Sequence, residues 1–317
     1  MTDTQNEVFK TPVNKIRLFE HGAPGSQNFK LTRKYYTGDM PDGRVKHIVQ
    51  NITDPDIVPY IPDGIGNSTD RQRIPAVLII PGGAFRRLVY NFEGEDVAKW
   101  LNSMGIAAFV LECRLPSDEH DNAEDVPLID AMRAMRVIRG RAQEFGIDEA
   151  KIGVMGFSAG GFMAALLSTA YESDVYADYK YKDEYDKLSA RPDFAVCSYP
   201  VISIDDCIEA GKRYMSEEQV LERISDSKAK ILHKYNPDKL VRPDMPPVFI
   251  CETDDDRTTL SENSVGFYMA ARKAGVSAEL HIFRTGGHGY GCGDDFAQTG
   301  EWKVLFTKWI KSIGIIS

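Results

Sequence analysis

The sequence predicts an α/β fold in which a mostly parallel central sheet carries helices on both faces. Three observations point there. Continuous apolar runs at 76–80 and 106–111 read as strands buried on both sides, because a strand with one wet face would alternate apolar with polar residues. Between them Val97, Trp100, Leu101 and Met104 recur at helical spacing and Gly105 ends the pattern, so strand, helix and strand follow in turn. Residues 151–165 then read as an apolar strand, a serine set among glycines, and a helix of small and apolar side chains.

Taken in order, residues 1–44 are polar and rich in turn formers (Gly22, Pro24, Gly25, Gly38, Pro41, Gly43), which predicts irregular structure laid over the domain or an arm used in homo-oligomerisation. Residues 45–52 and 57–61, broken by Asp54-Pro55, read as two edge strands joined by a turn. The strand at 76–80 stops at Pro81-Gly82-Gly83-Ala84-Phe85, where a ligand can approach the backbone. Leu128, Ala131, Met132, Met135, Ile138, Ala142 and Phe145 mark one face of a long helix entered after Asp125 and Pro127 and closed by Gly146. Residues 171–191, dense in Tyr, Lys and Asp, read as a surface insertion. The charged, helix-like stretch 203–242 lies between two strands and predicts a small helical cap over a site. A strand at 248–251, a helix at 261–274, a strand at 278–283 and an amphipathic helix bearing Trp302, Phe306 and Trp309 complete a domain spanning 45–317.

Composition narrows the function classes. A chain of 317 residues with 43% apolar residues holds a substantial core, and a net charge of −9 without a basic face argues against nucleic acid as a partner. The start, Met1 to Glu7, lacks a basic region leading into an apolar run, and no segment approaches the roughly 20 apolar residues of a membrane span. The expectation is a cytoplasmic chain with no membrane partner. Five cysteines, odd in number, show no metal-ligand spacing; Cys113, Cys197 and Cys251 sit in apolar runs as small hydrophobes.

Parallel sheets bind ligands beyond the carboxyl ends of their strands. Four such ends carry chemistry: residues 82–85, Ser158 with Ala159, Asp254-Asp255-Asp256, and Gly286-Gly287-His288-Gly289. A strand that reverses into a helix around one residue leaves no room for side chains two positions before and after it, and Gly156 and Gly160 meet that demand around Ser158. A serine hydroxyl needs a base, and the base needs an orienting acid. His288, in a glycine-rich loop after a strand, is the base on offer; the other histidines read as structural or solvated. The three adjacent aspartates are chemically equivalent candidates for the acid. The acidic loop at 118–122 matches no calcium-loop spacing, and no metal or cofactor is required.

These motifs resemble the α/β-hydrolase superfamily, in particular its acetylesterase and lipase-like branch of carbohydrate or xylan acetyl esterases. The likeness runs from about Val45 to the C-terminus. It rests on 81–85 with Glu93-Gly94-Glu95, Arg114-Leu115-Pro116, Gly156-Phe157-Ser158-Ala159-Gly160-Gly161, Arg191-Pro192-Asp193-Phe194, Tyr199-Pro200-Val201-Ile202, Glu262-Asn263-Ser264 and 286–289. In that family the acid lies a fixed short distance before the Glu-Asn-Ser helix start, so the resemblance implies Asp256, with Asp255 second and Asp254 last. It also implies an oxyanion hole of the Gly83, Ala84 and Ala159 amides. Two departures stand out: Ala84-Phe85 replaces the usual Gly-Tyr, and Arg257-Thr258-Thr259 replaces apolar residues. The implied activity is a serine esterase that removes short acyl groups, acetyl first, from small molecules or plant-derived oligosaccharides through Ser158, His288 and Asp256. A feruloyl esterase or peptidase on the same scaffold is the alternative within enzymes. A non-catalytic binding protein is the alternative outside them.

Overall fold

A computed structural model describes residues 9, 12–40, 43–64, 73–213, 215, 216, 218–220, 229–293 and 298–317. Its main sheet has eight strands: β1 (Ile16–Arg17), β4 (Asp56–Tyr60), β5 (Ile74–Ile80), β7 (Ala107–Glu112), β8 (Ile147–Phe157), β9 (Ala195–Ser198), β10 (Val248–Thr253) and β11 (Ala278–Phe283). They lie in the order β1-β4-β7-β5-β8-β9-β10-β11. From β7 to β11 every neighbouring pair is parallel, and β4 and β1 close the other edge antiparallel. A second sheet of β2 (Lys34–Asp39), β3 (Val45–Gln50) and β6 (Leu88–Val89) is antiparallel. The described helices are α1 (Asp96–Ser103), α2 (Val126–Gly140), α3 (Ala142–Phe145), α4 (Ala159–Ala170), α5 (Ile204–Lys212), α6 (Ala229–Lys234), α7 (Ser261–Lys273) and α8 (Glu301–Ser312). None of them is long and apolar enough to cross a membrane.

The apolar runs become the centre of the sheet. All six residues of β7 and all but the first of β5 are buried, as helical cover on both faces requires. Helix α2 packs on α4, whereas α1 meets α8 through Trp100 and Trp302, whose rings lie 4.9 Å apart edge to face. Carboxyl ends of β5, β8, β9, β10 and β11 therefore emerge along one edge of the sheet, and the four suspect segments follow those of β5, β8, β10 and β11.

Three expectations need correction. Residues 45–50 and 56–60 are not two edge strands of one sheet: β3 lies between β2 and β6 in the second sheet, while β4 lies between β1 and β7 in the main one. The chain switches sheets at Asn51, which takes a left-handed φ of 56°. Residues 1–44 are not wholly irregular, since Lys34–Asp39 is a strand paired with β3, next to which the Met40 N–H donates to the Arg44 carbonyl. Leu18, Phe19 and Ala23 are buried in the core. The stretch 171–191 is more than a surface insertion, for Tyr171 and Tyr176 are buried and Arg133 of α2 pairs with Asp183 and Asp186. Guanidinium groups of α2 draw this polar segment inward, which composition alone does not reveal. The expected cap at 203–242 falls partly outside the described residues; its described portion includes α5, α6 and a short turn at Pro237–Lys239.

Candidate active site

Ser158 sits between β8 and α4 at φ 54° and ψ −118°, a conformation disfavoured for a residue with a side chain. Glycine at the flanking positions is a steric necessity. A Cβ on Gly156 would lie 1.9 Å from the Gly160 carbonyl oxygen, and one on Gly160 would lie 1.9 Å from that of Ile80. The turn is held by the Ser158 N–H donating to the Ser198 carbonyl at 3.0 Å and by the Phe162 N–H donating to the Ser158 carbonyl at 3.1 Å. Ala159 begins α4, so its N–H belongs to the first turn, where amides have no intrahelical acceptor.

His288 Nε2 lies 2.8 Å from Ser158 Oγ, and its Nδ1 lies 2.6 Å from Asp256 Oδ2. An ionised carboxylate can only accept, so Nδ1 carries the proton and Nε2 is left as the acceptor facing the serine hydroxyl. Asp256 is 1% exposed, whereas Asp254 and Asp255 are at the surface. Burial pushes the Asp256 pKa up, but its bond to His288, the attraction of that ring when protonated and the Thr258 and Thr259 amides outweigh this and hold it below the ordinary aspartate value. Its Oδ1 accepts from those two amides at 2.7 and 3.0 Å, and its Oδ2 accepts from the Thr259 hydroxyl at 2.9 Å. Asp255 has another role: its Oδ1 accepts from the Gly286 and Gly287 amides at 3.0 and 2.8 Å, pinning the loop that carries His288. Glu252, fully buried at the end of β10, is pushed well above the ordinary glutamate value by burial and by the Asp256 charge. Of the buried pair Glu252 and Asp256, the opposite shifts favour the charge on Asp256.

On the opposite side, the turn after β5 touches Ser158. A Cβ on Gly82 would lie 2.9 Å from Ser158 Cβ. Gly83, Ala84 and Phe85 take φ of 138°, 57° and 60°, so Ala84 takes a left-handed backbone despite its Cβ. Two residues that sequence reading quoted only as parts of motifs are buried here. Glu93 accepts from the Gly82 N–H at 2.8 Å and from the Tyr199 hydroxyl at 2.9 Å. The Tyr199 ring lies 5.0 Å from that of His288, edge to face. Thr259, read as a departure, is a hydrogen-bond donor to the acid. Glu93 sits on a turn where only Gly94 is otherwise buried, so no local pattern marks it, whereas Tyr199 closes the buried run of β9. His47, His120 and His281 are engaged elsewhere, with Phe9, Ser26 and Glu279. Among the described residues, no three His, Cys, Asp or Glu side chains are grouped to hold a metal ion.

The chain is similar to known proteins along most of its length. It is 31% identical over 240 residues, 75% of the chain, to an acetylxylan esterase of Xylanibacter ruminicola. Over 227 residues, 71% of the chain, it is 31% identical to endo-1,4-beta-xylanase B of Butyrivibrio fibrisolvens. Both are longer, the chain spanning 45% and 34% of their lengths. Among solved structures, the acetyl ester-xyloside bifunctional hydrolase of Caldicellulosiruptor lactoaceticus superposes with a TM-score of 0.69 at 35% identity, covering 98% of this chain and 99% of that one. A propionate-bound esterase of Thermogutta terrifontis gives a TM-score of 0.63 at 25% identity, with 93% and 96% covered. These neighbours share the α/β-hydrolase fold. The family model described as BD-FAE matches residues 65–270, and with the fold and the elbow in agreement, the chain belongs to that family.

Proposed function

We propose that this chain is a serine carboxylic-ester hydrolase that removes short acyl groups, acetyl foremost, from xylan-type carbohydrates. The observation that carries the reading is the unbroken line of hydrogen bonds from Ser158 Oγ through His288 to the buried Asp256 carboxylate. His288 Nε2 takes the hydroxyl proton as Ser158 Oγ attacks the ester carbonyl, and Asp256 stabilises the imidazolium. Backbone amides of Gly83, Ala84 and Ala159 are the donors assigned to the developing oxyanion. Collapse of the tetrahedral intermediate passes the imidazolium proton to the leaving alcohol and leaves an acyl ester on Ser158. Water then gives a proton to His288, attacks the acyl carbon, and the carboxylic acid departs as Ser158 regains its proton.

The substrate class is supported by the names of the relatives: an acetylxylan esterase, an acetyl ester-xyloside hydrolase, and an esterase seen with propionate and with butyrate. Turnover of p-nitrophenyl esters of increasing chain length tests the reading, with acetylated xylo-oligosaccharide as the second substrate. Acetate or propionate esters should be preferred, and Ser158→Ala should lower kcat by at least about 10⁴-fold. Absence of Ser158-dependent turnover on every ester would sink the hydrolase reading, and preference for long chains would sink the acetyl one.

A further inference from the structure

Two loops that the chemistry must hold in register come from opposite ends of the chain: the turn at 82–85, which carries proposed oxyanion donors, and the 286–291 loop, which carries the base. Glu93 lies between them. It is 5% exposed, on a π-helical turn (Asn91–Glu95) directly before α1, and each carboxylate oxygen has its own donor. Oε2 accepts from the Gly82 N–H at 2.8 Å, and a Cβ on that glycine would sit 2.7 Å from the same oxygen. Oε1 accepts from the Tyr199 hydroxyl at 2.9 Å. The Tyr199 oxygen in turn accepts from the Gly291 N–H at 3.1 Å, three residues beyond His288. From the other side, the Trp302 indole N–H donates to the Gly291 carbonyl at 3.1 Å.

Tyr199 is itself held in place. Its φ of 36° is unusual for a side chain of this size, its ring centroid lies 5.0 Å from that of His288 and 4.5 Å from that of Tyr290, and its carbonyl lies 3.2 Å from the Thr259 hydroxyl oxygen. That hydroxyl also reaches Asp256. A buried carboxyl group is costly unless each oxygen is satisfied, and an apolar side chain would fill the same space without that cost. What an apolar residue could not do is join Gly82 to Gly291.

We propose that Glu93, acting through Tyr199, is a positioning residue for ester hydrolysis: it fastens the oxyanion turn to the His288 loop behind the nucleophile. This rests on the hydrolase reading above. Glu93 touches neither Ser158 Oγ nor the imidazole in any hydrogen bond described, so its effect is on where the reacting groups sit. Burial drives its carboxyl toward the neutral form, while the His288 charge and its two donors favour the carboxylate.

The test compares the parent chain with Tyr199→Phe, Glu93→Gln and the double variant on p-nitrophenyl acetate. Rates are counted per active site titrated by a fluorophosphonate, and thermal melting is followed in parallel. Each single variant should lose about tenfold or more in kcat with KM within about twofold, as misplacement of reacting groups does. The double variant should lose no more than the worse single one, because both cut the same link. Inhibition by a trifluoromethyl ketone, which mimics the tetrahedral adduct, should weaken in parallel with kcat/KM. A purely structural role would lower the melting temperature and leave kcat per titrated site within twofold of the parent, which overturns the proposal; so would losses that multiply in the double variant. Tyr199→Phe removes only a hydroxyl group and decides the matter if Glu93→Gln does not fold. A parent without Ser158-dependent turnover sinks the hydrolase reading, and a working parent matched by its variants sinks the positioning role alone.

Discussion

Asp255 and Asp256 are adjacent, carry the same chemistry and face opposite ways. One step along the chain turns the side chain from solvent, where Asp255 clamps two loop amides, to a buried niche where Asp256 meets His288. Asp256→Asn should lower kcat by about 10³–10⁴-fold, because the amide stabilises the wrong imidazole tautomer. Asp255→Asn keeps an acceptor for Gly286 and Gly287 and should cost less than about tenfold. Steady-state kinetics on one ester decides between them, and equal losses would mean that the acid is elsewhere. Ser158 and His288 were legible as candidates because glycine spacing is a local signal and each follows a strand end. Which aspartate is buried beside His288 was not legible from residue chemistry, since it is set by β10; the family resemblance alone pointed to Asp256. Nor was the part played by Thr259, since a polar residue replacing an apolar one reads as a changed pocket wall until its hydroxyl is placed 2.9 Å from Asp256.

At the scale of elements, the elbow is rigid because β5, β8 and α4 approach too closely for any side chain at two positions. Gly160→Ala would drive a methyl group into the Ile80 carbonyl, an atom fixed in the central strand. Overpacking against backbone has no flexible side chain to yield, so the variant should be destabilised by about 3 kcal/mol or fail to accumulate as folded protein. Urea unfolding measures this; an unchanged midpoint would show that β5 and α4 can separate at little cost. The same sterics explain why this element was readable from sequence: the demand for glycine is satisfied or broken within five residues. Strand β2 was not readable in that way. Its inward positions, Tyr36 and Gly38, alternate correctly, but Gly38 and the flanking Lys34 and Asp39 read as turn and surface. Its partner is β3, which reads in sequence as an edge strand followed by a turn. Pairing is a long-range property, and two short polar-edged strands do not reveal it.

For the molecule as a whole, distant segments are joined by buried polar contacts that no window of sequence displays. Glu93 and Tyr199 are one such pair. Another is centred on Arg114, fully buried just after β7. Its Nη2 donates to Asp130 Oδ1 of α2 at 2.7 Å, its backbone N–H donates to Asp130 Oδ2 at 2.8 Å, and its Nη1 donates to Ser26 Oγ at 2.8 Å and to the Pro24 carbonyl. Three separate stretches, the N-terminal segment, the end of β7 and α2, therefore depend on one ion pair. The motif Arg114-Leu115-Pro116 was visible as a likeness, but its partners lie 16 and about 90 residues away. Replacing one member of a buried pair leaves the other charge uncompensated, which costs about 3–5 kcal/mol, whereas an exposed pair such as Lys239 with Asp205 is worth about 1 kcal/mol or less. Asp130→Asn preserves volume and removes only the charge, so its urea midpoint should fall well below that of Asp205→Asn. If the two variants unfold together, the Arg114 contacts do not hold the N-terminal segment to the domain. If Asp130→Asn alone is weakened, proteolysis in the native state should begin within residues 12–40, where the chain loses its anchor on Arg114.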